Sequence, residues 1–266
     1  MDKKRIVFKV GTSTLCHGMT GPNFRNIEGL ARVFADIKNE GHDVILVSSG
    51  AIGVGVAKLR LTEKPSEIRV KQAVAAVGQL ELMHIYDKLF GEYGATVGQV
   101  LMTRDDIEMP TVKQNLRGTF DALLKMGVIP IVNENDSVCI EEIEDEHKVF
   151  GDNDTLSAYV AALVDADLLV ILSDTDGMYD GGDPRKNPDS KRMPVVTKID
   201  DRIKALAGDT GNKLGTGGYM TKLIAVQIAG DAGVDTIITD GSNPENLYLA
   251  AHGGETGTLF TLGGAV

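Results

Sequence analysis

Lys9 is the residue whose position most needs a chemical reason. It sits inside RIVFKV (residues 5–10), an apolar run that reads as a strand covered on both faces, where a charged ammonium is costly unless paired. An edge strand would let the side chain reach solvent; otherwise Lys9 is a cation awaiting an anionic ligand at the strand end. Lys222 raises the same question. It closes the glycine-rich segment GNKLGTGGYMTK (211–222) and enters the first turn of a helical pattern at 223–229, where the helix dipole disfavours a cation. Glycines expose backbone N–H groups and a helix start favours anions, so a phosphate group would account for that lysine. Asp154 belongs to Gly151-Asp152-Asn153-Asp154, which opens another amphipathic helix. One Asp or Asn is the expected N-cap there, yet Asp154 also falls where it could pair with a lysine in the same crevice. The chemistry suggested is the binding and neutralisation of a phosphorylated ligand.

The elements that must position these residues follow from periodicity. Short β-branched runs at 5–10, 43–47, 95–102, 128–132, 167–172 and 235–239 alternate with helical patterns, such as Leu156, Tyr159, Val160, Leu163 and Val164. Most of the runs are continuously apolar, which predicts an α/β fold with a mostly parallel sheet covered by helices. Five of them end in small or polar residues: Gly11-Thr12-Ser13, Ser48-Ser49-Gly50-Ala51, Asn133 to Ser137, Ser173-Asp174-Thr175-Asp176-Gly177 and Asp240-Gly241-Ser242. Strands commonly end in turn residues, but five such ends on one edge would line a polar crevice where open α/β sheets bind ligands. Segments 138–150, acidic in its middle, and 176–195, rich in Gly and Pro, lack periodicity and read as a hairpin or mobile loop and as a functional loop or solvated connection.

Composition narrows the classes. The chain has 266 residues and a formal charge of -11, with 42% hydrophobic and 24% charged residues. Such a chain folds, as one large domain over 1–266, and its acidic surface disfavours nucleic acid and anionic lipid. Cys16 and Cys139 make neither a disulfide framework nor a zinc pattern, and the N-terminal apolar run is too brief for a signal peptide. A soluble cytoplasmic protein is expected, with no membrane span. The five histidines lack metal-ligand spacing, so no protein metal site is expected. P-loop, protein-kinase and dinucleotide fingerprints are missing, which disfavours a nicotinamide-dependent dehydrogenase.

KVGTS, VSSGAIG, VNENDS, GDND, ILSDTDG with DPR, and GTGGYMTK occur in this order across essentially the whole chain. In these motifs the sequence resembles the amino acid kinase family, and within it the members acting on glutamate. The resemblance implies a three-layer sandwich with a mostly parallel central sheet and helices on both faces. It implies transfer of the ATP γ-phosphoryl group to the side-chain carboxylate of L-glutamate, the first step of proline synthesis, with Mg2+ bridging the phosphates. The amino acid would bind in the N-terminal part, roughly 1–160, and the nucleotide in roughly 161–266. Lys9 and Lys222 would contact the phosphates and Asp154 would position them. Ser49, Gly50, Ala51, Asp136 and Asn153 would hold glutamate. Gly11, Ser173, Asp174, Thr216, Gly217, Gly218, Tyr219, Met220, Thr221 and Lys222 would join Lys9 in binding ATP. Feedback inhibition by proline, with Asp106 and region 141–144 as the places to look, a homodimer or homotetramer, and contact with the reductase that consumes the acyl phosphate are also implied. Two departures stand out. The RNA-binding-like C-terminal module of many relatives is not expected here, and segment 138–150 is longer and more acidic than the family pattern. Alternatives are a related kinase of aspartate, N-acetylglutamate, carbamate or UMP, and a non-catalytic amino-acid sensor, which would lack the two lysines.

Overall fold

The computed structural model describes residues 2–18, 20–138, 153–208 and 218–262, with the side chain of Arg104 excepted. In chain order the first half holds β1 (Arg5–Val10), α1 (Thr12–Leu15), α2 (Phe24–Asn39), β2 (Asp43–Ser48), α3 (Ala51–Lys58), α4 (Ile68–Glu92), β3 (Thr96–Met102), α5 (Arg104–Glu108), α6 (Pro110–Lys125) and β4 (Val128–Glu134). The second half holds α7 (Asn153–Leu163), β5 (Leu168–Ser173), β6 (Val195–Val196), α8 (Asp201–Gly208), α9 (Tyr219–Asp231), β7 (Asp235–Asp240), α10 (Asn246–His252) and β8 (Thr258–Phe260).

The strands form one eight-stranded sheet in the order β3-β4-β2-β1-β5-β7-β8-β6. All neighbouring pairs are parallel except β7 with β8. The five strands with polar carboxyl ends therefore stand side by side, with β1 in the middle and successive connections leaving it in both directions. Such a reversal of strand order is where open α/β sheets place their ligands.

Strand alternation sends successive side chains to opposite layers. Ile6, Phe8 and Val10 of β1 join a core built with Phe34 of α2, Tyr86 and Phe90 of α4, and Leu247 of α10. Val7 joins the opposite core, with Val160 of α7, Val226 of α9 and Phe120 of α6. The sheet is thus the middle of three layers, as the sequence predicts. Two steps from Val7, Lys9 points into the α7/α9 layer, one residue before its strand ends.

Helices α3 and α4 cross with almost no separation. A Cβ at Gly55 would lie 2.1 Å from the Val74 carbonyl oxygen, and one at Gly78 would lie 1.8 Å from that of Ala51. Only glycine allows this approach. It carries the middle of α4 up to the end of β2.

Candidate active site

The carboxyl end of β1 and the first turns of α7 and α9 meet around one carboxylate. Asp154 Oδ1 lies 2.6 Å from Lys9 Nζ and Asp154 Oδ2 lies 2.8 Å from Lys222 Nζ. Relative exposure is 5% for Lys9, 0% for Asp154 and 7% for Lys222, so the trio is withdrawn from water. Lys9 belongs to the central strand β1, so its side chain has no edge from which to reach solvent. Burial pushes the Asp154 carboxyl pKa up, but the charges and hydrogen bonds of the two ammonium groups outweigh it and hold it well below the usual carboxylate range. One negative charge between two positive ones leaves the buried trio net cationic within a chain of charge -11. A site of that kind attracts an anion and pairs with it strongly, because little water screens it. Thr221, in the first turn of α9, places its hydroxyl oxygen 3.2 Å from Asp154 Oδ2 and 2.8 Å from the Gly218 carbonyl. Gly218 is the N-cap of α9, and that first turn carries no acidic side chain.

A second cluster adjoins the first through α7. The Asn153 side-chain amide donates to Ser49 Oγ at 2.8 Å, to the Ser48 carbonyl at 3.3 Å and to Asn133 Oδ1 at 3.2 Å. Asn133 in turn donates to Gln79 Oε1 at 2.7 Å. Asn133 thus accepts from Asn153 through Oδ1 and donates to Gln79 through Nδ2, which fixes the way its amide faces. Because Ser49 Oγ accepts from Asn153, its own proton is left for another acceptor, such as a ligand carboxylate. Gly50 follows with φ of 101°, a left-handed turn that lets the chain leave β2 and start α3 at Ala51. Gly50 and Ala51 at this start of α3 are both buried.

The remaining expected residues fall around these clusters. Gly11 is the N-cap of α1, and a Cβ there would come 3.3 Å from Lys9 Nζ. Ser173 ends β5 with its hydroxyl 3.3 Å from Asp174, which also meets Arg185 at 3.4 Å. Arg185 forks onto the buried Asp183 through Nε at 2.9 Å and Nη2 at 3.0 Å, so side chains of the 176–195 loop hold it to its own start. Tyr219 and Met220 begin α9; the Tyr219 hydroxyl is turned into the protein, where burial raises its pKa strongly. Asp136 is half-buried in the turn after β4. Asp106 accepts from the backbone and hydroxyl of Thr103, capping α5. Thr216, Gly217 and most of segment 138–150, region 141–144 included, lie outside the described residues. Gln79 is absent from the sequence reading: no motif marks it, and the Gly78 crossing that delivers it is visible only in three dimensions. Asn133 reads from sequence as one of five polar strand ends, with no role of its own.

The donors here also bear on magnesium. Both oxygens of Asp154 face ammonium groups, and the one trio of His, Cys, Asp or Glu ligand atoms among the described residues, Glu40 with His42 and His252, adjoins the start of β2 at the other end of the sheet. A Mg2+ arriving with a nucleotide would take its ligands mainly from phosphate and water, as this ion commonly does.

The chain was compared with known proteins. The family model described as "Amino acid kinase family" matches residues 4–240. A protein named glutamate 5-kinase from Clostridium perfringens is 56% identical over 97% of this chain and 96% of its own length. Another of that name from Listeria innocua is 53% identical over 97% of this chain and 93% of its own. One from Clostridium acetobutylicum is 50% identical over 96% and 94%. Among solved structures, UMP kinase from Bacillus anthracis superposes with a TM-score of 0.65 at 14% identity, over 98% of this chain and 97% of that one, a likeness of fold.

Proposed function

The chain belongs to the amino acid kinase family and is a kinase, and on that footing we propose that it transfers the γ-phosphoryl group of ATP to the side-chain carboxylate of L-glutamate. The product is L-glutamyl 5-phosphate, and the step opens proline biosynthesis. The observation that carries the reading is the buried Lys9–Asp154–Lys222 trio at the end of the central strand. Two anions must approach each other for this reaction, and two ammonium groups in a dry crevice supply the charge that lets them.

The nucleophile needs no activation, since a glutamate carboxylate is ionised at neutral pH. Catalysis then reduces to alignment and charge neutralisation. Lys9 and Lys222 hold the γ-phosphoryl oxygens, and Asp154 keeps both ammonium groups converged on one point. Ser49 and Asn153 hold the amino acid beside them, Asp136 takes its ammonium group and the Gly50–Ala51 backbone lies near its α-carboxylate. Ser173, Asp174 and the start of α9 carry the nucleotide. Mg2+ supplies further charge neutralisation on the phosphates when bound. The amino acid thus occupies the part formed by roughly 1–160 and the nucleotide that formed by 161–266.

Proline as a feedback inhibitor, a cytoplasmic site of action and contact with the reductase that consumes the acyl phosphate complete the reading. Among the described residues, no helix is long and apolar enough to cross a membrane. We further propose a homo-oligomer formed through α4. Val70, Ala73, Val77 and Leu80 make an outward stripe at steps of three and four residues, with Leu80 76% exposed.

A hydroxamate assay with ATP and Mg2+ over a panel of glutamate, aspartate, N-acetylglutamate and UMP tests the activity. Hydroxylamine traps an acyl phosphate but not a phosphate ester. Glutamate hydroxamate is expected, reduced by added proline. Product with aspartate or N-acetylglutamate alone would refute the substrate, and no product with any carboxylate would refute the reaction.

A further inference from the structure

Asn26 occupies the third position of α2 and is 9% exposed. Its backbone N–H is already satisfied by the side chain of Asn23, the N-cap. Its side chain turns away from the helix. The amide nitrogen lies 3.0 Å from the Thr14 carbonyl oxygen and 3.1 Å from that of Gly241. Both neighbours are acceptors, so the nitrogen faces them and both its protons are used.

The two carbonyls belong to loops at the ends of different strands, 12 residues before Asn26 and 215 after it. Thr14 closes the 11–15 turn by bonding back to Gly11 at 3.1 Å, and Gly11 is the residue whose Cα faces Lys9 Nζ. On the other side, the N–H of Gly241 bonds to the Ser173 carbonyl at 2.9 Å. The loops also touch directly: a Cβ at Gly241 would lie 2.8 Å from Thr14 Oγ1 and 3.0 Å from Leu172 Cβ. A single buried amide therefore joins the turn beside Lys9 to the ends of β5 and β7.

We propose that Asn26 is a positioning residue for the nucleotide: by holding the Thr14 and Gly241 carbonyls it fixes the spacing between the turn beside Lys9 and the strand ends at Ser173 and Gly241. This rests on the reading that ATP lies across those strand ends. Asn26 does not touch the ligand and acts through the backbone of both loops. Loosening the strut widens the spread of distances the phosphate groups must bridge, while the Ser49–Asn153–Asn133 cluster for the amino acid is held by other bonds.

Asn26→Leu keeps the branched shape and removes both donors. ADP binding measured by calorimetry on the purified chain is expected to weaken about tenfold, equal to about 1.4 kcal/mol. The half-saturating ATP concentration rises in step, while that for glutamate stays within about twofold. Unchanged ADP affinity in a folded variant overturns the proposal. So does equal weakening for both substrates, which marks a purely structural role. Should the leucine variant fail to fold, Asn26→Ser retains one donor, and its ADP affinity is expected to fall about threefold; an unchanged value is again contrary. If the wild type binds ADP but makes no acyl phosphate, the proposed activity falls while the Asn26 comparison in ADP still stands or fails by itself.

Discussion

Replacing Asp154 with asparagine keeps the shape of the trio and removes its only negative charge. The ammonium groups of Lys9 and Lys222, at 2.6 and 2.8 Å from that carboxylate, are then left together in a volume almost without water. Taking one partner from a buried ion pair costs about 3–5 kcal/mol. That is a large share of the roughly 5–15 kcal/mol that holds a typical domain together. Guanidinium unfolding at pH 7 is therefore expected to show Asp154→Asn less stable by about 3–5 kcal/mol. Turnover should fall by about a hundredfold, since the lysines no longer converge on one phosphoryl group. Saturating ATP should stabilise the variant at least as much as the wild type, because its phosphates offset the excess positive charge. The pH dependence adds a separate check. Folding lowers the proton affinity of Asp154, so its contribution is complete well above the unfolded value of about 3.9 and is lost as pH falls below it. The stability gap between wild type and variant must therefore narrow in acid. A variant within about 1 kcal/mol of wild type at pH 7, with turnover reduced less than about fivefold, would refute this electrostatic account.

Four further outcomes follow from the same geometry. Lys9→Ala and Lys222→Ala should each lower turnover about a hundredfold, and near-normal rates in either would remove that lysine from the phosphoryl site. Asp136→Ala should raise the half-saturating glutamate concentration; a shift confined to ATP would show that the amino acid lies elsewhere. Gly78→Ala drives a Cβ to 1.8 Å from the Ala51 carbonyl, so it should cost about 3 kcal/mol or more in chemical denaturation, and a neutral result would contradict the α3–α4 crossing. Leu80→Glu should reduce the sedimenting mass to that of a 28.4 kDa monomer without unfolding the chain, and an unchanged mass would move the interface off α4.

The sheet is largely legible in the sequence, because a strand buried on both faces leaves a continuous apolar run. The expected boundaries err in a consistent direction. The runs predicted to stop at Val47, Val132, Leu172 and Thr239 continue to Ser48, Glu134, Ser173 and Asp240. Hydropathy drops at these strand ends, while the extended backbone continues one or two positions further. β6 escapes notice for another reason: two valines beside an exposed loop carry no period at all. Within the site, Lys9, Asp154 and Lys222 stand out because each is a charge where the local pattern predicts none or only a cap. Gln79 and Asn26 give no such signal, since an amide inside an amphipathic helix is unremarkable until its distant partners are known. The link between Asn133 and Asn153 is likewise tertiary, made across 20 residues of chain.

The alternation of β1 has a consequence for how the chain finds its native pairing. A slip of one residue against β2 or β5 would turn Lys9 toward the aromatic layer of Phe34, Tyr86 and Phe90 and send Phe8 and Val10 toward Asp154. The misaligned strand would bury one charge in hydrocarbon and take from Asp154 one of its two ammonium neighbours. The lysine therefore works as a proofreader of assembly, rejecting the shifted sheet long before any substrate arrives.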